Sequence, residues 1–195
     1  MNTLKAEKRS LDIKAKRLRR EGYVTGNVFG KEMKESVPIK MDASEVDRLL
    51  KTCNKGSQIM LDIDGKSHNV LIKDVDFNPL KGKIDEIDFQ ALVKDEVVHS
   101  VAEIVLENIE AVTTGVLQQQ LGEVSYKALP ADLVDKIEID ASTLRVGDTI
   151  KVGDLAIAKN EKIHLMTDPE AVVVTITESR NSAAADEEAA EETEA

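Results

Sequence analysis

Lys8, Arg9, Lys14, Lys16, Arg17, Arg19 and Arg20 crowd the stretch between positions 8 and 20, where Asp12 is the single acid. Guanidinium groups match phosphate oxygens bidentately and can stack on bases, while ammonium groups add point charges. Such a cluster is suited to holding a phosphate backbone. The bland reading of a charge run is a solvated helix face. Three arginines and two lysines within positions 14–20 favour the phosphate reading more than scattered lysines would. Tyr23 and Phe29 follow on a strand and could stack on bases, but with two Tyr and three Phe in the chain this signal is weak. Spacing alone supports an RNA-binding β domain and nothing narrower.

Other chemistry is poorly provided for. His68, His99 and His164 lie far apart, each within or near a strand pattern, and read as ordinary strand residues. Cys53 falls on the apolar face of an expected helix without a nearby base, as a buried structural thiol would. Asp62-Ile63-Asp64-Gly65 faintly resembles the start of a calcium loop but lacks the later ligands, and a hairpin turn explains it. No phosphate-cradling glycine loop, zinc spacing or catalytic triad pattern is present. The expectation is a binding protein: no enzyme, no cofactor, no metal and no small-molecule substrate.

The net charge of −11 would argue against nucleic acid if it were evenly spread. Residues 1–95 carry 19 Lys/Arg against 16 Asp/Glu, whereas residues 96–195 carry 7 against 21. The acidic total therefore hides a basic first part. Apolar residues make up 42% and aromatics only 3%, so the cores must be built from Val, Ile and Leu. A lone cysteine excludes an internal disulfide framework and suits a reducing cytoplasm. No apolar run approaches a membrane span, and the first ten residues, MNTLKAEKRS, do not read as a secretory signal. These features predict a soluble, cytoplasmic chain that keeps away from membranes.

The elements that would position the cations read as β-rich. Strands are expected over 2–8, 23–29, 37–41 and 84–92, with a short basic helix or loop at 14–21 stopped by Gly22. Asp42 or Ser44 can cap a helix over 44–53, where Val46, Leu49, Leu50 and Cys53 share one face. Residues 58–64 and 67–76 alternate apolar and polar around Asp64-Gly65-Lys66, a hairpin signal. The second part predicts strands at 97–112, 124–128, 137–140, 149–152 and 171–177, separated by recurring turn residues, as in an all-β domain. The expected division is 1–94, then 95–181, then an Ala/Glu-rich acidic tail at 182–195 that reads as disordered. The fold class is mainly β with minor α.

Four segments carry a family resemblance. KAKRLRREGYVTGNVFG (14–30) resembles the arginine-rich segment, glycine turn and strand of the Ctc-type (general stress protein) form of a large-subunit ribosomal protein family that binds 5S ribosomal RNA. LIKDVDFNPLKGKIDEIDFQ (71–90) is similar to that family's strand–proline–strand signature. TTGVLQQQLGEVSYKALPADLVDKIEIDASTLRVGDTIKVGDL (113–155) is similar to the signature of its C-terminal domain, and DPEAVVVTI (168–176) to its closing strand. The resemblance implies an N-terminal β-barrel that binds 5S ribosomal RNA, a second mostly β domain, and no enzymatic activity. Its implied partners are 5S ribosomal RNA and neighbouring large-subunit ribosomal proteins, with a cytoplasmic, ribosomal location and a monomeric state off the ribosome.

By position the resemblance makes Arg9, Lys16, Arg17 and Arg19 RNA-facing, with Lys14 and Arg20 in the same basic segment and Asp88 in the closing triplet. Four positions depart from the family pattern. Thr25 stands where Pro is usual, Phe29 where Tyr is usual, Asp76 where Gln or a similar residue is usual, and Glu86 where His is usual. Asp76 and Glu86 put carboxylates where RNA should approach, which costs affinity unless they point away. Two functions stay open on these residues. One is a structural RNA-binding subunit of the ribosome. The other is a diverged stress-associated paralogue with weak ribosome binding that acts as a protein adaptor.

Overall fold

The computed structural model describes residues 2–31, 33, 35–112 and 115–178, so the acidic stretch expected at 182–195 lies outside the described residues. The chain is mainly β and divides into two compact units. The first takes residues up to 103 together with 127–135, and the second takes 104–126 and the described residues from 136 onward.

The barrel of the first unit is built on six strands, with two short helices beside them. They are β1 (Thr3–Lys8), α1 (Ala15–Arg20), β2 (Tyr23–Phe29), β3 (Val37–Asp42), α2 (Ala43–Leu50), β4 (Gln58–Ile63), β5 (Lys66–Asn78) and β6 (Lys83–Ala91). The strands close into a barrel of order β1-β3-β2-β6-β5-β4. Closure needs two parallel pairings, Thr3 with Met60 at β1–β4 and Thr25 with Glu86 at β2–β6. The remaining pairs are antiparallel. Alternation decides which residues point inward: Ile59, Leu61 and Ile63 of β4 are buried, while Gln58, Met60 and Asp62 between them are only partly covered. Leu4, Val24, Val28, Ile39, Val70, Ile72, Ile87 and Phe89 complete the core with Val46 and Leu49 of α2.

β2 and β6 approach unusually closely at Gly26. A Cβ there would lie 2.0 Å from the Ile87 carbonyl oxygen, so only glycine lets the two backbones meet. The β1–β3 seam is braced by Lys40, whose Nζ lies 2.8 Å from Glu7 and 4.9 Å from the centroid of the Tyr23 ring. The hydrogen bond to Glu7, offset in part by burial and aided by its charge, pushes the Lys40 pKa up.

α2 begins and ends for readable reasons. The Asp42 side chain accepts from the Ser44 backbone N–H, the capping expected from the sequence. Leu50 is the last helical residue, three short of the expected end. Thr52 and Cys53 are poor helix formers and instead turn back onto the Leu49 carbonyl. Hydrogen bonds from Ser44 hold the Asp42 carboxyl below its usual range. A carboxylate with a depressed folded-state pKa contributes stability above its unfolded value and loses it as pH falls through the folded one. Asp42→Ala is therefore expected to melt earlier than the parent at pH 6, with the gap closing towards pH 3; a gap independent of pH in thermal melts would refute the cap's charge dependence.

Beyond residue 97 lie β7 (Val98–Glu107), β8 (Val116–Gln119), β9 (Glu123–Ala128), β10 (Lys136–Asp140), β11 (Thr149–Lys151), β12 (His164–Leu165) and β13 (Val172–Thr177). They form a four-stranded sheet of order β10-β7-β9-β12 and a three-stranded sheet of order β11-β13-β8. β7 stops at Glu107, short of the expected 112, because Asn108 takes a left-handed φ of 54° and the chain enters a 3₁₀ turn at Ile109–Ala111. β8 and β12 are strands that the sequence did not announce. In the second unit Tyr126, Val152, Val173, Val174 and Ile176 are buried. No helix among the described residues is long and apolar enough to cross a membrane.

Candidate nucleic-acid interface

The basic segment is a helix. α1 is only six residues long, below what holds alone in water, so its order comes from its contacts. Leu18 is its one buried residue and seats it on the barrel. Arg17, Arg19 and Arg20 occupy its last turn, where cations meet the negative end of the helix. Lys14, Lys16, Arg17 and Arg20 are exposed. Arg17 Nε donates to Glu21 Oε1 at 2.9 Å in an exposed i,i+4 pair, an arrangement of small energetic weight.

Arg19 is different. Its Nε donates to the Asp85 carbonyl oxygen at 2.9 Å, and its Nη2 donates to Thr25 Oγ1 and Glu86 Oε2, each at 3.3 Å. Three acceptors from β2 and β6 thus hold one guanidinium. Two of those residues, Thr25 and Glu86, are positions where this chain departs from the pattern described above. Thr25 is itself buried, and its hydroxyl donates to the Asp85 carbonyl at 3.4 Å. Glu86 therefore turns to Arg19 and does not sit apart in solvent.

The remaining expected residues are placed as follows. Arg9 lies just past β1; its Nη2 donates to the Ile13 carbonyl at 2.9 Å and its Nε is buried without a partner, so it braces the loop leading into α1. Phe29 ends β2 and is exposed. Asp88 accepts from the Asn27 backbone N–H at 3.0 Å and from the Asn27 side chain at 3.3 Å, latching β2 to β6. Asp76 is exposed and stands directly opposite Glu86, as Asp74 does opposite Asp88. Like charges facing one another across strands repel. Lys55, 3.3 Å from Asp74, and Arg19 offset part of this.

α1 forms one wall of a cleft of about 990 Å³. Lys16, Arg19 and Arg20 line it with Lys81 and Lys83 of the β5–β6 hairpin, and Asp42, Asp47 and Asp85 supply the acids. Asp85 is held below its usual carboxylate range first by the Asn78 side chain and then by the charges of Lys81 and Arg19. Lys81 and Lys83 are not among the binding residues expected from the sequence, although a Lys-Gly-Lys turn after Pro79 was the available signal. His68, His99 and His164 sit in β5, β7 and β12, and Cys53 is a free, buried thiol. Among the described residues no group of three or more His, Cys, Asp or Glu could hold a metal ion. What the cleft offers chemically is clustered cationic donors for an extended anion.

Residues 4–89 match the model of the Ribosomal L25p family, and residues 97–180 match that of the Ribosomal protein TL5, C-terminal domain. The chain is 33% identical over 188 residues to the large ribosomal subunit protein bL25 of Bacillus velezensis, covering 94% of this chain and 91% of that one. It is 31% identical over 194 residues to the bL25 of Caldanaerobacter subterraneus subsp. tengcongensis, covering 98% and 96%. A bL25 from Thermoanaerobacter sp. is 32% identical over 170 residues, covering 86% and 84%.

Proposed function

Because the chain belongs to the Ribosomal L25p family, we propose that it is a component of the large ribosomal subunit whose first domain binds 5S ribosomal RNA. The observation that carries this reading is α1, a helix that commits one side chain, Leu18, to the core and leaves Lys14, Lys16, Arg17 and Arg20 exposed. Phosphate contacts of this kind supply affinity and register, whereas base contacts supply sequence specificity. The role is structural and not enzymatic, exercised on the cytoplasmic ribosome, with neighbouring ribosomal proteins as further partners and a monomeric state off it. We assign the RNA binding to residues 1–94 and treat 95–181 as an extension without it.

Salt dependence tests the reading. Each phosphate neutralised contributes a slope of about 0.7–0.9 in a plot of log affinity against log salt. Titration of the chain with 5S ribosomal RNA is expected to give a slope that falls by about that amount in Lys16→Ala and again in Arg20→Ala. Unchanged slopes in both variants would remove α1 from the interface.

A further inference from the structure

We propose that the β5–β6 hairpin is a second phosphate-binding arm, in which Lys81 and Lys83 grip the RNA backbone from across the cleft that α1 lines. The inference rests on the RNA-binding reading above and adds residues far from the basic segment in sequence. Three observations carry it. The first is placement: Lys81 and Lys83 line the same cleft as Lys16 and Arg20, and both hairpin lysines are exposed. A backbone lying in that cleft meets cations on both walls.

The second observation is that the hairpin is built to hold them. β5 and β6 pair up to Asn78 opposite Lys83, and Gly82, at φ 60°, closes the turn. The Lys81 backbone N–H donates to the Asn78 carbonyl at 3.2 Å and to the Asn78 side-chain oxygen at 3.3 Å. The other end of the same side chain, Nδ2, donates to Asp85 Oδ2 at 3.0 Å. Since the Asp85 carbonyl holds Arg19, one hydrogen-bonded chain runs from α1 through Arg19, Asp85 and Asn78 to Lys81. The two walls are thereby set in a fixed relation, which lowers the entropy lost on gripping a ligand.

The third observation is access. Leu80, at the tip between Asn78 and Lys83, is 97% exposed, so the turn stands clear of the barrel. A surface lysine pair on a flat strand face would lack both the facing cations and the projecting turn.

Titration of the full chain with 5S ribosomal RNA at several salt concentrations tests the arm, using the Lys81→Ala/Lys83→Ala double variant, Lys16→Ala, Arg20→Ala and Lys66→Ala. Lys66 is an exposed control at the opposite end of β5. The double variant is expected to keep its fold by circular dichroism, to lose about 1.4–1.8 from the salt slope, and to bind on the order of tens of fold more weakly at 100 mM salt. Lys66→Ala should match the parent. A double variant with the parent's slope, while Lys16→Ala and Arg20→Ala each lose theirs, overturns the arm and leaves the α1 interface standing. Weaker binding with an unchanged slope also overturns it, since the hairpin would then act without touching phosphate. A parent chain with no salt-dependent binding overturns both.

Discussion

Gly26→Ala is expected to lower the thermal unfolding midpoint of the first domain by some 15–30 °C, the equivalent of about 3–5 kcal/mol in a domain of this size. The added methyl would sit 2.0 Å from the Ile87 carbonyl oxygen and 3.3 Å from the Met41 side-chain methyl. The first of these is backbone, so no rotamer change can relieve it. β2 and β6 would have to separate by more than an ångström along a parallel pairing that closes the barrel. Ladder hydrogen bonds and the packing of Val28 and Phe89 would go with it. Gly122→Ala, in the second unit, is the control for adding a methyl where nothing lies within 4 Å, and should leave the first domain's midpoint at the parent's value. Melts that place both variants together would mean the strands yield at small cost and the close approach is unimportant.

The second large effect concerns Arg19. Arg19→Ala is expected to weaken 5S binding by at least tenfold, on the usual scale of about 1.5–3 kcal/mol for hydrogen bonds involving a charged group, and to lower the melting point as well. The substitution removes all three bonds that tie α1 to β2 and β6. Arg19→Lys should recover little, since one ammonium cannot reach acceptors spread across a planar fork. Glu86→His works in the other direction. The part-exposed Arg19–Glu86 pair is worth at most about 1 kcal/mol to the fold, and on the RNA-binding reading its carboxylate would repel phosphate. Replacing it is expected to tighten 5S binding by about 1–2 kcal/mol. Most of that gain should vanish in the Arg19→Ala background if it flows through the released guanidinium. Equal gains in both backgrounds, measured by titration, would show that Glu86 acts on the RNA alone. A tight-binding parent that Glu86→His leaves unchanged would discount the weak-binding paralogue.

How much of this could be read beforehand follows from what is local. β4 is legible because apolar and polar residues alternate over Gln58–Ile63, and the β4–β5 hairpin because Asp64-Gly65 marks a turn; β5 departs from alternation at the buried run Val70-Leu71-Ile72. β8 is not legible, since Val-Leu-Gln-Gln has no alternation and is a strand only because β13 pairs with it. β12 is two residues long and has no pattern to find. The α1 cations announce themselves by density. Their division of labour does not: Arg19 differs from Arg20 only through Thr25, Asp85 and Glu86, which the nonlocal β2–β6 pairing brings within reach. Lys81 and Lys83 stay hidden for the same reason, because a sequence does not display which hairpin faces which helix.

The barrel's parallel seams also set a timetable for its synthesis. β1 is made first yet needs Met60 of β4, and β2 waits for Glu86 of β6, so local pairing cannot close the sheet as the chain emerges. Until Ala91 has been made, β2 and β5 each present an unpaired edge, the surface on which nascent chains stick to one another. The two walls of the cleft come from the beginning and the end of that timetable. A half-made chain thus carries the basic residues of α1 with neither the Asp85 carbonyl that holds Arg19 nor the β5–β6 hairpin. On the two-walled grip proposed above, tight anion capture would wait for the finished barrel, because a shorter fragment lacks Lys81, Lys83 and the carbonyl that holds Arg19.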